Sequence, residues 1–373
     1  MSSTVLGLLA FSLLALPPAS PSTGDELLVN WGRKKIPAAA LTDDVPPRAA
    51  AAISTWIEWA EATGYRMDLA ADGRALLLSI DSNKGRKNAK KNLKLIDEIV
   101  AMMEEILPLP PTRVAGPEQD EEDDTFEWGH VERETQIPVL LELDDLIHYS
   151  AAINHLTTKN RYLGGWATTA ARMTGFVIES PLTGAWMPKT GIKEDYEGNP
   201  TNEMVNRLAQ MLTLGRFGQQ PYWMRMGIAW HVEMKAMKGI YCFPYRSGFV
   251  RASSHTNWEK LIENRLGRRK EPMVIEEVAG LERGRWDTEL AEMAWGTATF
   301  LIQFHPDALP EILDEFYTMW DLQGRIEDDD GTWERIPEFE PSLSDQLAVI
   351  EKHVPDFLPE LTKFFAKGKH YKP

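Results

Sequence analysis

Residues 201–233, TNEMVNRLAQMLTLGRFGQQPYWMRMGIAWHVE, decide how the chain is read. They carry two amphipathic helical patterns joined by a short Gly/Gln/Pro turn. In the first, Met204, Val205, Leu208, Met211 and Leu212 recur at the spacing of one helix face, not at the two-residue period of a strand. Asn202, Glu203 and Asn206 fall on a neighbouring face. Asn202 and Asn206 are one helical turn apart, so both side chains leave the helix in the same direction. In the second pattern His231 and Glu233 are two apart and leave it about 200° from each other.

Composition bounds the rest. A chain of 373 residues, 43% apolar with 13 Trp and 15 Met, has the material for a bulky core and is not a disordered polymer. Its formal charge of −16 argues against nucleic acid or an anionic membrane surface as a partner, since both repel a net negative chain. Cys242 is the only cysteine. An intrachain disulfide and a multi-cysteine zinc site are therefore excluded, and flanking Tyr241 and Phe243 suit a buried, inert thiol. Residues 5–16 (VLGLLAFSLLAL) are an apolar run followed by PPASPSTG. The run is too short to span a bilayer and fits the core of a secretory signal peptide over residues 1–23, although MSST before it has no basic residue. The mature chain is expected to be soluble and secreted or periplasmic, with no transmembrane segment.

In chain order, residues 25–50 read as Pro- and Ala-rich irregular chain. A helix over 50–63 is stopped by Gly64. Residues 65–69 and 74–80 flank Asp72-Gly73 as a hairpin. Residues 84–107 form a long helix with a basic first half, read as a solvated face, and an apolar stripe through Ile96, Ile99, Val100, Met103 and Ile106. Residues 118–124 (EQDEEDD) read as an acidic linker. Residues 137–143 form a buried strand, and 146–156 a helix carrying His148 and His155, two turns apart and too far to share a metal. Phe176, Val177, Ile178 and Glu179, with residues 185–187, read as a strand pair just before the focal helix. Asp287 is a candidate N-cap for a helix over 288–304, a second helix covers 308–320, residues 328–331 (DDDG) turn, and short helices follow over 344–353 and 358–365. No phosphate-binding loop, dinucleotide fingerprint or nucleophile elbow occurs. Strands leading into helices without regular alternation indicate an α+β fold.

Three features together resemble the peptidase MA-like proteins, secreted bacterial relatives of the thermolysin-type gluzincins. One is the strand pair running into Asn202-Glu203-x-x-Asn206, at the place of the family's H-E-x-x-H helix. Another is Pro221-x-Trp223-x-x-Met226-Gly227-x-Ala229, similar to P-x-W-x-x-E-G-x-A. The last is the later helix over 291–304. The resemblance implies a gluzincin-like fold: a mixed sheet packed on the motif helix, then a helical C-terminal part. The resemblance covers residues 137–320, and the chain is expected to divide into an N-terminal hairpin-plus-helix region (25–115), an acidic linker (116–136), a peptidase-like domain (137–335) and a helical extension (336–373). It places the family's metal ligands on Asn202, Asn206 and Met226 and its general base on Glu203.

None of the three ligand positions suits zinc, which takes imidazole, thiolate or carboxylate. An amide is a weak neutral donor and a thioether suits copper(I). Zinc is therefore expected to be absent, and Glu203 survives as a vestigial base with no metal-bound water to act on. Glu233 reads as a surface carboxylate and His231 as a partly exposed helix residue, the weak alternative being a rebuilt site using Glu203 and His231. The expectation is a pseudopeptidase that binds an extended peptide or protein, in which 176–179 would be an edge strand open to a peptide. A hydrolase using Glu203 and a purely structural envelope component are the alternatives.

Overall fold

The computed structural model describes residues 27–37, 45–108, 136–159, 163–170, 175–179, 181–187, 199–241, 254–269, 288–327, 333–335 and 341–372. The signal-like segment, the acidic run 118–124, Cys242, Asp287 and the 328–331 turn lie outside them.

The fold is α+β, built on a mixed sheet of seven strands. These are β1 (Leu28–Trp31), β2 (Lys34–Pro37), β3 (Tyr65–Ala70), β4 (Ala75–Ile80), β5 (Val139–Glu142), β6 (Gly175–Ile178) and β7 (Thr183–Trp186), in the spatial order β2-β1-β3-β4-β5-β7-β6. β4, β5 and β7 run parallel, while β3–β4 and β6–β7 are antiparallel hairpins. The Asp72-Gly73 hairpin forms, but through a longer turn: Ala71, Asp72 and Gly73 all take positive φ before β4 begins. β1 and β2 fall in the stretch expected to be irregular; Asn30 ties β1 to β3 by donating to the Met67 carbonyl at 3.0 Å. β4 and β5 pair directly, Leu77 opposite Leu140, so the regions on either side of the expected 116–136 linker share one sheet.

The central strands β3, β4, β5 and β7 are buried on both faces and sort their side chains by alternation. Leu76, Leu78, Val139 and Leu141 face one core, beneath α1 (Pro47–Thr63) and α3 (Leu146–Lys159). Leu77, Leu140 and Trp186 face the other, beneath α2 (Asn83–Ile106) and α5 (Pro200–Phe217). α1 ends at Gly64 in the left-handed conformation (φ 73°), and α2 starts from Ser82, whose Oγ accepts from the Gly85 N–H at 3.0 Å.

Outside α5 lie α6 (Tyr222–Met237), α8 (Thr288–Phe304) and α9 (Ala308–Gln323), with the short α4 (Gly164–Ala170) and α7 (Trp258–Ile262) elsewhere. The C-terminal α10 (Leu343–His353) and α11 (Phe357–Lys367) join the same core: Gln346 accepts from the Trp223 indole at 2.8 Å, and Phe365 packs at Gly296. Among the described residues no helix is long and apolar enough to cross a membrane.

α6 and α8 approach closely at Gly227, where a Cβ would meet the Ala294 carbonyl oxygen and lie 2.9 Å from the Ala298 Cβ. Alanine favours an isolated helix over glycine by about 1 kcal/mol. The collision reverses that sign, so Gly227→Ala is expected to lower stability by about 1–3 kcal/mol in urea denaturation.

Candidate functional site

α5 starts where Asn199 caps it, its side-chain oxygen accepting from the Thr201 N–H at 3.0 Å, with Pro200 in the first turn. It ends at Gly218 (φ 68°), and Pro221 opens α6 after a short turn. The two helices fold back on each other as a hairpin. Residues equidistant from the turn therefore stand at the same level, and Asn206 and Glu233 are both about thirteen residues from its middle.

That register brings α5 amides onto an α6 carboxylate. Asn202 Nδ2 donates to Glu233 Oε1 at 2.7 Å and Asn206 Nδ2 donates to Glu233 Oε2 at 3.1 Å. The Tyr241 backbone N–H adds a third bond to Oε1 at 2.6 Å, from β8 (Ile240–Tyr241), which pairs with β9 (Ser254–His255). Asn202 also donates to the Gly239 carbonyl at 2.8 Å, and Gln210 donates to Asn206 Oδ1 at 2.7 Å. Glu233 is fully buried, and both asparagines are at most 1% exposed. The expectation of a surface carboxylate at 233 is thus corrected. The hairpin turns that position inward, where α5 covers it.

Glu203 and Arg207, a quarter-turn round the helix, face the sheet instead. They form a buried ion pair at 3.0 Å, and Arg207 Nε donates to the Ala185 carbonyl of β7 at 2.5 Å. Glycines in the hairpin below make room: a Cβ at Gly175 would strike the Arg207 guanidinium, and one at Gly184 would lie 2.9 Å from Met211. The two lines of polar residues on α5 therefore have separate tasks. Asn202 and Asn206 bind α6, while Glu203 and Arg207 bind the sheet.

Met226 is buried, but it stands seven residues before Glu233, about 10.5 Å along the helix axis. The residue that meets the two asparagines is Glu233. His231 is 8% exposed, not partly open, and its Nδ1 lies 3.0 Å from Thr299 Oγ1 on α8. It thus takes the opposite side of α6 from Glu233, and Glu203 is engaged elsewhere. Among the described residues no three His, Cys, Asp or Glu stand close enough to share an ion. Of residues 176–179, the first three fall in β6, at the end of the sheet; Glu179 follows it and pairs with Arg225 of α6 at 3.2 Å.

No protein-family model matches the sequence, and no curated protein does. Burial pushes the Glu233 carboxyl up to about 8, against the opposing pull of its three N–H donors, and the Glu203 carboxylate raises it further. Burial likewise pushes His231 down to about 4. A zinc ion does not fit the cluster as it stands. The amides direct N–H groups, not lone pairs, at the carboxylate, and N–H donors occupy both Glu233 oxygens.

The sign of the linkage follows from the raised value. Glu233 holds its proton more tightly in the folded chain, so its contribution is most favourable below its ordinary value of 4.5 and is lost as pH rises to about 8. Denaturation at intervals from pH 5 to 8 should show the native protein losing stability relative to Glu233→Gln, by on the order of a few kcal/mol over the whole window. Equal pH slopes in the two proteins would show that Glu233 ionises normally.

Proposed function

We propose that this chain is a gluzincin-like protein, akin in shape to thermolysin-type peptidases, that has given up zinc and hydrolysis and acts by binding or scaffolding outside the cytoplasm. The observation that carries the reading is the donation of Asn202 and Asn206 to one buried carboxylate. The helix that would offer two imidazoles to a metal offers two amide N–H groups to a protein side chain instead. Glu203, the would-be general base, is 4% exposed and ion-paired with Arg207, which removes the access and basicity that proton transfer from water requires. The apolar run at 5–16 supports export.

The surface proposed for binding is β6. The sheet has two edges of different character. β2 carries exposed Lys34 and Lys35 and ends in Pro37, features that discourage added strands. β6, with the sequence Gly-Phe-Val-Ile, has no charge and no proline. An extended peptide pairing with it would gain main-chain hydrogen bonds.

Metal analysis of the purified protein is expected to find well under one zinc per chain and no effect of chelators on thermal stability. Stoichiometric zinc would overturn the reading. A screen of extended peptides is expected to yield binders that Val177→Lys, which charges β6 as β2 is charged, abolishes while the fold persists. Binders indifferent to that change would place recognition elsewhere.

A further inference from the structure

We propose that the exposed basic face of α2 is a docking surface and that its occupant is the acidic run of the same chain, residues 118–124. Between Lys84 and Lys94 the helix carries six cations, Lys84, Arg86, Lys87, Lys90, Lys91 and Lys94, and no carboxylate. All six are exposed. Spacings of three, seven and ten from Lys84 put Lys87, Lys91 and Lys94 on one stripe with it. The opposite side of the helix packs into the core through Ala89, Ile96, Val100 and Met103, so the stripe is directed away from the sheet. Among the described residues, Arg86 pairs with Asp81 at 2.7 Å and Lys94 with Glu98 at 3.5 Å, and the other four cations form no ion pair.

This arrangement is unfavourable for the helix taken alone. Cations three or four residues apart repel by about 0.2–0.5 kcal/mol a pair, and Lys84 with Lys87, Lys87 with Lys91 and Lys91 with Lys94 are such pairs. Lys84 and Arg86 add to the cost by standing in the first turn, where the backbone dipole favours anions. The buried apolar face keeps α2 in place regardless. A line of carboxylates along the stripe would relieve both effects at once.

Residues 118–124, EQDEEDD, supply that line: six carboxylates and no cation. They follow α2 in the chain, and the lengths permit the contact. Ten residues from Pro108 to Glu118 extend at most about 33–36 Å. Lys94 and Lys84 lie about 20 and 35 Å back along the helix from Leu107. Twelve residues from Asp124 to Gln136 then return toward β5 with a reach of about 40 Å. Tethering raises the local concentration of the run to about the millimolar range. A free polyanion lacks that advantage and meets the repulsion of a chain with a formal charge of −16. The second half of α2 carries Asp97, Glu98, Glu104 and Glu105, which repel the run and direct it to the first half.

Carbodiimide cross-linking of the full-length protein, mapped by peptide mass spectrometry, tests the contact. The reagent joins a lysine amine to a carboxylate only where the two touch, forming an amide with loss of water. The expected products join residues 118–124 to Lys84, Lys87, Lys91 or Lys94 within one chain. Their yield is expected to fall several-fold at about 1 M salt, where the Debye length is about 3 Å. Absence of such products overturns the proposal, as does equal yield at Lys34 and Lys35 of β2 or at Lys367 of α11. In an equal mixture of unlabelled and isotope-labelled protein, products joining the two kinds of chain also overturn it, because the occupant is then a second copy. A second measurement uses the variant Glu118→Gln, Asp120→Asn, Glu121→Gln, Glu122→Gln, Asp123→Asn and Asp124→Asn. Acetylation of Lys84, Lys87 and Lys91 by an active ester is expected to run several-fold faster in this variant than in the native chain, with Lys367 unchanged. Equal rates at the α2 lysines overturn the proposal.

Discussion

The packing of the central helices turns on Glu233, a carboxyl group shut off from solvent and, among the described residues, joined to no cationic side chain. Glu233 is held by Asn202 and Asn206 from α5 and by the Tyr241 N–H of β8, just beyond its own helix. Leaving a buried carboxyl group without hydrogen-bond partners costs about 1–3 kcal/mol, so these bonds help to dictate the register of the α5–α6 hairpin. Two amides aimed at the two oxygens of one carboxyl group tolerate no slide of one helix along the other.

The neighbouring polar pair solves the same problem differently. Glu203 has a full positive charge beside it, and Arg207 hands the load on to the β7 backbone at Ala185. That link demands close approach of helix and sheet, which is why glycine stands at 175 and 184. The hairpin of β6 and β7, the motif helix and the second helix are thereby joined through polar contacts inside an otherwise apolar interior. Such networks specify one arrangement when every member is satisfied. A carboxylate buried against an arginine and a carboxyl group surrounded by N–H donors are well placed to hold a shape.

Much of the fold could be read locally. Gly64, Ser82 and the prolines at 200 and 221 mark helix ends by chemistry that needs no distant partner, and the helices at 84–107, 288–304 and 308–320 follow from periodicity. β1 and β2 could not be read this way. Four residues such as Lys-Lys-Ile-Pro show no alternation to speak of, and they become a strand only because β1 finds β3, 37 residues away. The continuity of the sheet across residues 109–135 was equally hidden, because β4 and β5 are adjacent in space and not in sequence.

For the site, the sequence by itself determined that Asn202 and Asn206 share a direction, that Glu203 takes another, and that His231 and Glu233 oppose each other. Helical phase settles all of these. It did not determine what the two asparagines meet. A spacing of twenty residues led to Met226, whereas the length of α5 before its turn moves the facing position out to Glu233. The symmetry of the hairpin about Gly218–Pro221 was a usable signal, though only once both helix ends were placed. Burial was the remaining decision of the tertiary structure. Glu233 ends an amphipathic helix and looks like surface until α5 on one side and β8 at its end close over it. Only the assembled fold removes its water, because desolvation depends on neighbours that a single helix does not carry.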